Sequence, residues 1–549
     1  MRRLHRWTLL TSFLLLVIAV SPVNPAFPSA GSSPMMPSPN TVTNWSSLQR
    51  FTSTVNVDFS PSVVQALDGT VWVFYTVTPL GINGAPTALP QIRYKTSTTL
   101  SATYNASLWS VEQTLVSQSF AQNDSPSATQ AGNQTIFLTF SSNRTGYYNI
   151  YLKKYMPSQG WQSETQVTWT NTNDKEPSVV AAKDGSVWVF YYRVLSGSQN
   201  NIYYKINRNG VWSSETAFTN DPAAQNTDPF AYQMRDGTIW LVWSHYDSTN
   251  GQHLFYKVYN PSTGAWSGQT QLTSTTNPDM HPALTMDQNN TIWLAWSREL
   301  TCGGLCYQWD IFYRYSTNYG SAWSAEANLT NDAACTANCA DDMMSSNAQL
   351  KDGRIYLFWA STRDAQNYWD IYYSATAPQP FHNVAVTSLS VGPVLLRLGH
   401  IVTINVTVAD LGTFPESLSL FITAKNKTST NIAVQYISLG PGQSMKLTIA
   451  WNGSPVPPGE YVISASIPMV NSEIVTGDNT LSAPRIRMVP PGDVNMDGKV
   501  DIIDAAIVSI AYGSVAGSPN WNPMADLDGN GKVDIIDAAT VAASYGMTG

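Results

Sequence analysis

The sequence predicts a mainly β, multidomain protein: a six-bladed β-propeller, then an immunoglobulin-like β-sandwich, then a small α module of paired EF-hand-like loop-helix units. Three observations predict it. A turn-and-strand pattern recurs six times between residues 68 and 356, alternating strands follow from about 381, and two twelve-residue acidic loops stand thirty-three residues apart near the C-terminus. With 549 residues, 43% of them apolar and 11% aromatic, the chain can bury several cores. Only 12% of residues are charged, the net charge is −8, and the pI is near 5.2. No basic stripe occurs, which argues against nucleic acid as a partner.

Residues 1–30 read as a secretory signal peptide: Arg2, Arg3 and Arg6 precede an apolar stretch from Trp7 to about Val20, and small residues stand at Ala26 and Ala30. A retained signal anchor is the competing reading, against which the apolar run is short for a bilayer span. No later run reaches membrane-spanning length, so after signal removal the chain is expected to be secreted, extracellular or at the cell surface, without a membrane span. Sequons at Asn44, Asn105, Asn143, Asn328, Asn405, Asn426 and Asn452 suit an exported glycoprotein. A Pro/Ser-rich linker, 31–43, leads into the repeats.

Residues 44–379 form the repeat region. Its turns fall at Asp68-Gly-Thr-Val-Trp72, Gly132-Asn-Gln-Thr-Ile-Phe137, Asp184-Gly-Ser-Val-Trp188, Asp236-Gly-Thr-Ile-Trp240, Asn289-Asn-Thr-Ile-Trp293 and Asp352-Gly-Arg-Ile-Tyr356. Each turn joins two strands of a hairpin. A third strand follows in each unit, as at Ile92-Arg-Tyr-Lys95 and Ile202-Tyr-Tyr-Lys205, and a fourth opens on Trp109, Trp161, Trp212, Trp266 or Trp323. Four strands every fifty to sixty-five residues specify a propeller. The sixth unit runs into Ala377-Pro-Gln-Pro380 before its fourth strand, whereas Trp45-Ser-Ser-Leu-Gln-Arg-Phe-Thr52 carries the fourth-strand pattern. The N-terminal segment is therefore expected to complete blade six and remove an open sheet edge.

The turn Ser316-Thr-Asn-Tyr-Gly-Ser-Ala-Trp323 resembles the Asp-box of sialidase-like propellers, with Asn318 where that motif has Asp. The resemblance implies fold, not activity. On the propeller face where the loops into the first and out of the second strands emerge, titratable residues stand at Asp58, Asp124, Glu176, Asp228, Asp279, His281, Asp341 and Asp342. Second strands end in Arg144, Arg193, His245, Arg298 and Arg363, which are the candidate ligand-binding residues. Recurrence at one repeat position is also what structural Arg/Asp pairs would produce. The sialidase resemblance implies three arginines gripping a carboxylate, a Tyr nucleophile activated by Glu, and an Asp acid/base. Glu112, Glu164, Glu215 and Glu326 belong to outer strands, which leaves Glu176, Glu299 and Asp228 as catalytic candidates. A face that binds glycan or protein without turnover is the expected role. The alternative is a secreted glycoside hydrolase acting in polysaccharide breakdown.

Two Cys-x₃-Cys pairs, Cys302 with Cys306 and Cys335 with Cys339, fall on the same face. In an exported chain they are expected as disulfides, paired locally or across the two loops, with a zinc site as the competing reading.

From 381 to 489 period-two strands appear at Ile401–Val408, Leu418–Thr423, Met445–Trp451 and Tyr461–Ser466, with Gly/Pro turns between them. That pattern indicates an immunoglobulin-like sandwich. The succession Val408-Ala-Asp-Leu-Gly412, Leu439-Gly-Pro-Gly442, Trp451, Pro458-Gly-Glu-Tyr461 and Asp478-Asn479 resembles the cell-adhesion-related domain named CARDB, which implies a spacer or surface-binding role.

Residues 490–549 hold the acidic loops. Ca²⁺ takes six to eight oxygens, and loop positions 1, 3, 5, 7, 9 and 12 are Asp493, Asn495, Asp497, Lys499, Asp501 and Asp504, then Asp526, Asp528, Asn530, Lys532, Asp534 and Asp537. The two lysines would contribute backbone carbonyls, and Gly498 and Gly531 permit the turn. Two ions are expected. The arrangement resembles a type I dockerin, whose loop-helix repeats fold around Ca²⁺ and dock onto a cohesin. Where members of that family carry small hydroxyl residues before the last ligand, this chain has Ile502-Ile503 and Ile535-Ile536. These pairs are expected to pack internally or against a partner other than a conventional cohesin, while the module as a whole is expected to meet a cohesin-like or surface protein.

Overall fold

The computed structural model describes residues 44–549 except 82, 100–102, 196–198, 223, 303–305, 332–339, 364–367, 379, 472 and 474. The proposed signal peptide and linker, and Cys335 and Cys339, lie outside the described residues, so the disulfide expectation does too. The backbone strands of Ile292–Cys302 and Cys306–Ser316 pair in register to their ends, with Cys302 opposite Cys306.

Six antiparallel units follow one another. Their first strands are Val57–Gln65, Asn123–Gln130, Asn173–Ala181, Gln225–Gln233, Asp279–Met286 and Asp342–Gln349, and in each the second and third strands follow by hairpin-like antiparallel pairing. A single parallel bridge, Asn200 with Gln225, joins the sheets of blades three and four. In blade six the outermost strand is Gln49–Arg50, paired with Asp370–Ala375, so first and last parts of the region share one sheet. The hydroxyl of Thr52 donates to Asp370 (3.1 Å) and accepts from the Ile371 N–H (2.9 Å) across this seam. The strand Trp and Tyr residues pack between blades: Trp188 and Phe190 of blade three meet Trp243, Phe218 and Trp266 in one buried cluster.

A polar frame repeats within the blades. The buried acid or amide of the first strand (Asn123, Asp174, Asn226, Asp279, Asp342) meets a cation or imidazole from the end of the second strand (Arg144, Arg193, His245, Arg298, Arg363). The guanidinium then reaches a glutamate before the outer strand in three blades, Arg144 to Glu164, Arg193 to Glu215 and Arg298 to Glu326. Beneath it lies an aromatic ring of the third strand, Tyr151, Tyr203, Phe312 or Tyr372. Neighbouring blades are also joined directly. The hydroxyls of Ser62, Ser127, Ser178 and Ser346 accept from the backbone N–H of Ala128, Val179, Ala231 and Val63 of the next blade (3.0, 3.2, 2.8 and 3.1 Å).

After the propeller, a sheet of Val384–Gly392, Val402–Asp410 and Ser444–Trp451 faces a second built on Glu416–Lys425, Ser429–Leu439, Gly459–Ser466 and Ile486–Val489. Alternate residues point inward, Val402, Ile404, Val406 and Val408 meeting Leu418, Leu420 and Ile422 in one core. Two short helices close the chain, α1 (Ile502–Ala511) and α2 (Ile535–Ser544), around a small core that includes Val500, Val508, Val533 and Val541. The sandwich grips this module through Arg397. Its buried guanidinium donates to the carbonyls of Asp493 (2.7 Å), Val494 (2.8 Å) and Met524 (2.9 Å), at the entry of both acidic loops. Among the described residues, no helix is long and apolar enough to cross a membrane.

Candidate functional site

All six first strands carry a β-bulge at the same place, where the ladder skips between Phe59/Ser62, Asp124/Ser127, Lys175/Ser178, Thr227/Phe230, Met280/Ala283 and Met343/Ser346. One bulge residue in each has a left-handed backbone: Ser60, Ser125, Glu176, Asp228, His281 and Met344, with φ between 50° and 60°. Such a conformation is costly for a residue with a side chain, and a bulge re-aims that side chain. The hydroxyls of Thr76, Ser141 and Ser297 hold three of these residues in place by accepting the N–H of Ser125, Glu176 and Met344. The result is a ring of six side chains lining an axial cavity of about 250 Å³.

The ring is chemically lopsided. Ser60, Ser125 and Met344 occupy one part, while Glu176, Asp228 and His281 stand on consecutive blades. The Glu176 and Asp228 carboxyls act on each other directly. Burial, and then the charge of Asp228, push the Glu176 carboxyl well above its ordinary range. Burial also acts to raise Asp228, but His281, the neighbouring Glu176 and the Ser244 hydroxyl (2.7 Å) outweigh it and hold the Asp228 carboxyl below its ordinary range. His281 Nε2 lies 4.0 Å from Asp228 Oδ1, and its buried Nδ1 has no hydrogen-bond partner. On the second blade Asp124 is pushed up to about 6 by burial, against the pull of Lys175 and Tyr148.

Of the residues singled out in the sequence, the structure brings Glu176 and Asp228 together in this cavity. Glu299 does not line it; its N–H donates to the Pro278 carbonyl (3.0 Å). Arg144, Arg193, His245, Arg298 and Arg363 are likewise absent from the cavity wall and engaged inside their blades, because the buried first-strand acids and amides claim them. Ser60, Ser125, Met344 and Lys175 carry no acid or arginine signature in the sequence. The signal that marks their place is a residue before proline repeated in five blades, Ser60-Pro61, Ser125-Pro126, Glu176-Pro177, Asp228-Pro229 and His281-Pro282.

The C-terminal loops form a second site. Asp493 accepts from the N–H of Asp497 (3.2 Å) and Gly498 (2.7 Å), and Asp526 accepts in the same way from Asn530 (3.1 Å) and Gly531 (2.9 Å). Gly498 and Gly531 take φ of 95° and 83°, the conformation position 6 requires. Asp504 and Asp537 are buried and serve twice, receiving N–H bonds from the loop start (Val494 and Leu527) and closing the capping boxes of α1 and α2. Asp501 and Asp534 each spend one oxygen as the helix N-cap, which suits a position that reaches an ion through water. Carboxylate oxygens of Asp526, Asp528 and Asp537 lie within 4.8 Å of one another. Burial and the neighbouring Asp504 and Asp497 push the Asp493 carboxyl up. An oxygen-rich set of this kind fits a hard divalent cation. Ile502, Ile503, Ile535 and Ile536 are 70%, 52%, 66% and 51% exposed, so internal packing, one of the two expectations, is excluded.

Residues 491–544 match the family model of the dockerin type I domain. Domains of this family bind calcium and dock onto cohesins, and proteins that carry them are typically extracellular or at the cell surface. No curated protein matches the sequence. Among solved structures, a protein of unknown function from Dyadobacter fermentans is similar at 11% identity, covering 60% of this chain and 99% of its own, with a TM-score of 0.48. An alpha-L-arabinanase of Penicillium chrysogenum is similar at 14% identity over 59% of this chain and 98% of its own, with a TM-score of 0.41. A Hadza microbial sialidase is similar at 12% identity over 58% of this chain and 65% of its own, with a TM-score of 0.40.

Proposed function

We propose that this is an exported attachment protein. In this reading residues 44–379 bind a glycan in the axial cavity, 381–489 act as a CARDB-like spacer, and 490–549 hold two calcium ions and dock onto a cohesin-like or surface protein. The observation that carries the reading is the divergence of the axial ring. Positions that serve the fold recur from blade to blade, as the buried acid or amide of the first strand does, whereas the bulge position is Ser, Ser, Glu, Asp, His and Met in turn. The fold does not demand those differences, so they belong to whatever occupies the axis. A cavity of about 250 Å³ lined by hydroxyls, carboxyls and proline rings suits a sugar unit or the end of a chain.

Binding without turnover fits the geometry better than glycoside hydrolysis. Hydrolytic carboxyl pairs stand roughly 5–10 Å apart to flank the scissile bond. Glu176 and Asp228 instead act on each other directly, each perturbing the other's carboxyl. A glycan-array and hydrolysis screen of the full chain is expected to find retention without product. Product formation that disappears in Glu176→Gln or Asp228→Asn, at unchanged melting temperature, would establish the hydrolase.

The attachment end has its own test. Calorimetric titration of the EDTA-treated chain is expected to give about two Ca²⁺ per chain, falling to about one in Asp537→Ala, as one twelve-residue loop loses its last ligand. A stoichiometry unchanged by that substitution would contradict the ligand assignment.

A further inference from the structure

Five outer segments of the propeller end on a threonine, Thr52, Thr168, Thr219, Thr273 and Thr330, whose hydroxyl accepts an N–H of the third strand beside it. The next residue is Ser53, Asn220, Ser274 or Asn331 in four of these blades, and Trp169 in blade two. Trp169 is 74% exposed, whereas Trp161, earlier in the same segment, packs into the cluster between blades one and two. One exposed aromatic residue would mean little. Two more join it on blade two: Phe120, 71% exposed, in the loop entering the blade, and Tyr147, 46% exposed, in the turn between its second and third strands. Among the described residues, blades four and five expose one large aromatic each on this face, Tyr246 and Tyr307. Hydrogen bonds tie the three loops of blade two into one surface. The Gln122 N–H donates to Asn143 Oδ1 (2.8 Å), the Thr170 N–H to Asn149 Oδ1 (3.0 Å) and the Tyr148 N–H to Asn173 Oδ1 (3.0 Å). Lys175 links that surface to the axial cavity, since it lines the cavity and lays its ammonium over the Tyr148 ring at 4.4 Å.

Resting on the glycan reading above, we propose that the ligand is an extended, neutral polysaccharide, with one unit in the axial cavity and later units stacked on blade two as far as Trp169. The inner and outer strands of a blade are three strand spacings apart, about 14 Å, so a single sugar at the axis does not reach Trp169. Equatorially linked pyranoses meet the geometry: their chain runs straight, and their C–H bonds lie on the ring faces that indole and phenol rings stack against. The loops that carry the rings are otherwise polar, with Gln122, Asn171, Thr172 and Asn173 partly or fully exposed. Rings interspersed with amides and hydroxyls suit the alternating C–H faces and hydroxyls of a sugar chain, whereas a protein or membrane contact favours a contiguous apolar patch. Arg144, in the same turn as Tyr147, is committed to Glu164 and Asn123, so it is not available to an acidic sugar.

Calorimetry of the full chain with the cello-oligosaccharides from cellobiose to cellohexaose, and with maltohexaose as the coiled, axially linked comparison, tests this. Affinity is expected to rise with length in the cello series, to about tenfold or more between its ends, and maltohexaose should gain nothing over maltose. Trp169→Ala should lower cellohexaose affinity about tenfold, the scale of one stacked aromatic anchor, and leave cellobiose binding unchanged. Trp169→Phe should keep most of the gain, and melting temperatures should match wild type in both variants because the side chain is exposed. Length-independent affinity, equal binding of maltohexaose, or full cellohexaose affinity in Trp169→Ala overturns the platform and leaves the glycan reading intact. The same holds if the cello series fails to bind while the glycan array shows another ligand. If nothing binds and the array is blank, both readings fall.

Discussion

Replacing Arg298 by methionine is expected to cost about 3–5 kcal/mol of folding stability, the range for breaking one half of a buried ion pair. Arg298 bonds Asp279 through Nε (2.7 Å) and Nη2 (3.1 Å) and Glu326 through Nη1 (2.6 Å), and it stacks over Phe312 at 4.5 Å. Methionine keeps the apolar stem but leaves Asp279, which is 0% exposed, with only the Trp296 indole N–H at 2.8 Å. The repeat supplies its own rescue. Blade four holds Asn226 and His245 at the equivalent positions, in contact at 2.8 Å. The double variant Asp279→Asn with Arg298→His should therefore recover most of the loss, since no buried unpaired charge remains at position 279 and the partly exposed Glu326 keeps Arg314 at 4.0 Å. Denaturant unfolding of the three proteins checks this; a loss below about 1 kcal/mol for Arg298→Met would place the pair with exposed salt bridges instead.

The opposite sign is expected at the same place in blade one. Asp58 is the counterpart of Asp174 and Asp279, but its partner across the ladder is Val77, where Arg193 and Arg298 stand in their blades. Arg93 on the third strand supplies a guanidinium and bonds Glu112, yet both Asp58 oxygens are buried without a hydrogen-bond partner. Burial, followed by the charges of Glu112 and Asp370, pushes Asp58 up to about 7, against the pull of Thr52 and Arg93. A carboxyl whose folded pKa is raised loses folded stability as pH climbs from its unfolded value near 4 to its folded value, and the cost then stays constant. Asp58→Asn removes it. The variant should match wild type below about pH 4, gain progressively up to pH 7, and hold a plateau on the order of 2–4 kcal/mol above that. Blades two and four already carry Asn123 and Asn226 at this position, so the amide suits the frame. Thermal unfolding across that pH range decides it, and a difference that is flat with pH would show that Asp58 does not titrate in the folded chain.

These residues also show how far the sequence can be read. The six hairpin turns are legible because each is a short local signal, and the outer strand of blade six is legible because Trp45–Thr52 repeats a pattern missing at 377–380. The recurring arginines are visible as a series, but their partners are not. Arg193 and Glu215 are twenty-two residues apart, and only the folded third strand brings them together. The axial ring is half legible: Glu176 and Asp228 stand out as acids, whereas Ser60 and Met344 acquire meaning only when the bulges place them on the same circle. The isoleucine pairs are plain in the sequence, but their exposure depends on how the two helices pack, which local pattern does not determine.

The central claim is that the divergent half of the ring receives the ligand. Blades one and two place serine at the bulge, so Glu176→Ser, Asp228→Ser and His281→Ser together convert that half to the state the fold already tolerates. Glycan-array binding by the triple variant beside wild type is the direct measurement. The expected result is loss of the wild-type signal with little change in melting temperature; an undiminished signal would place the ligand elsewhere on the molecule and contradict the account.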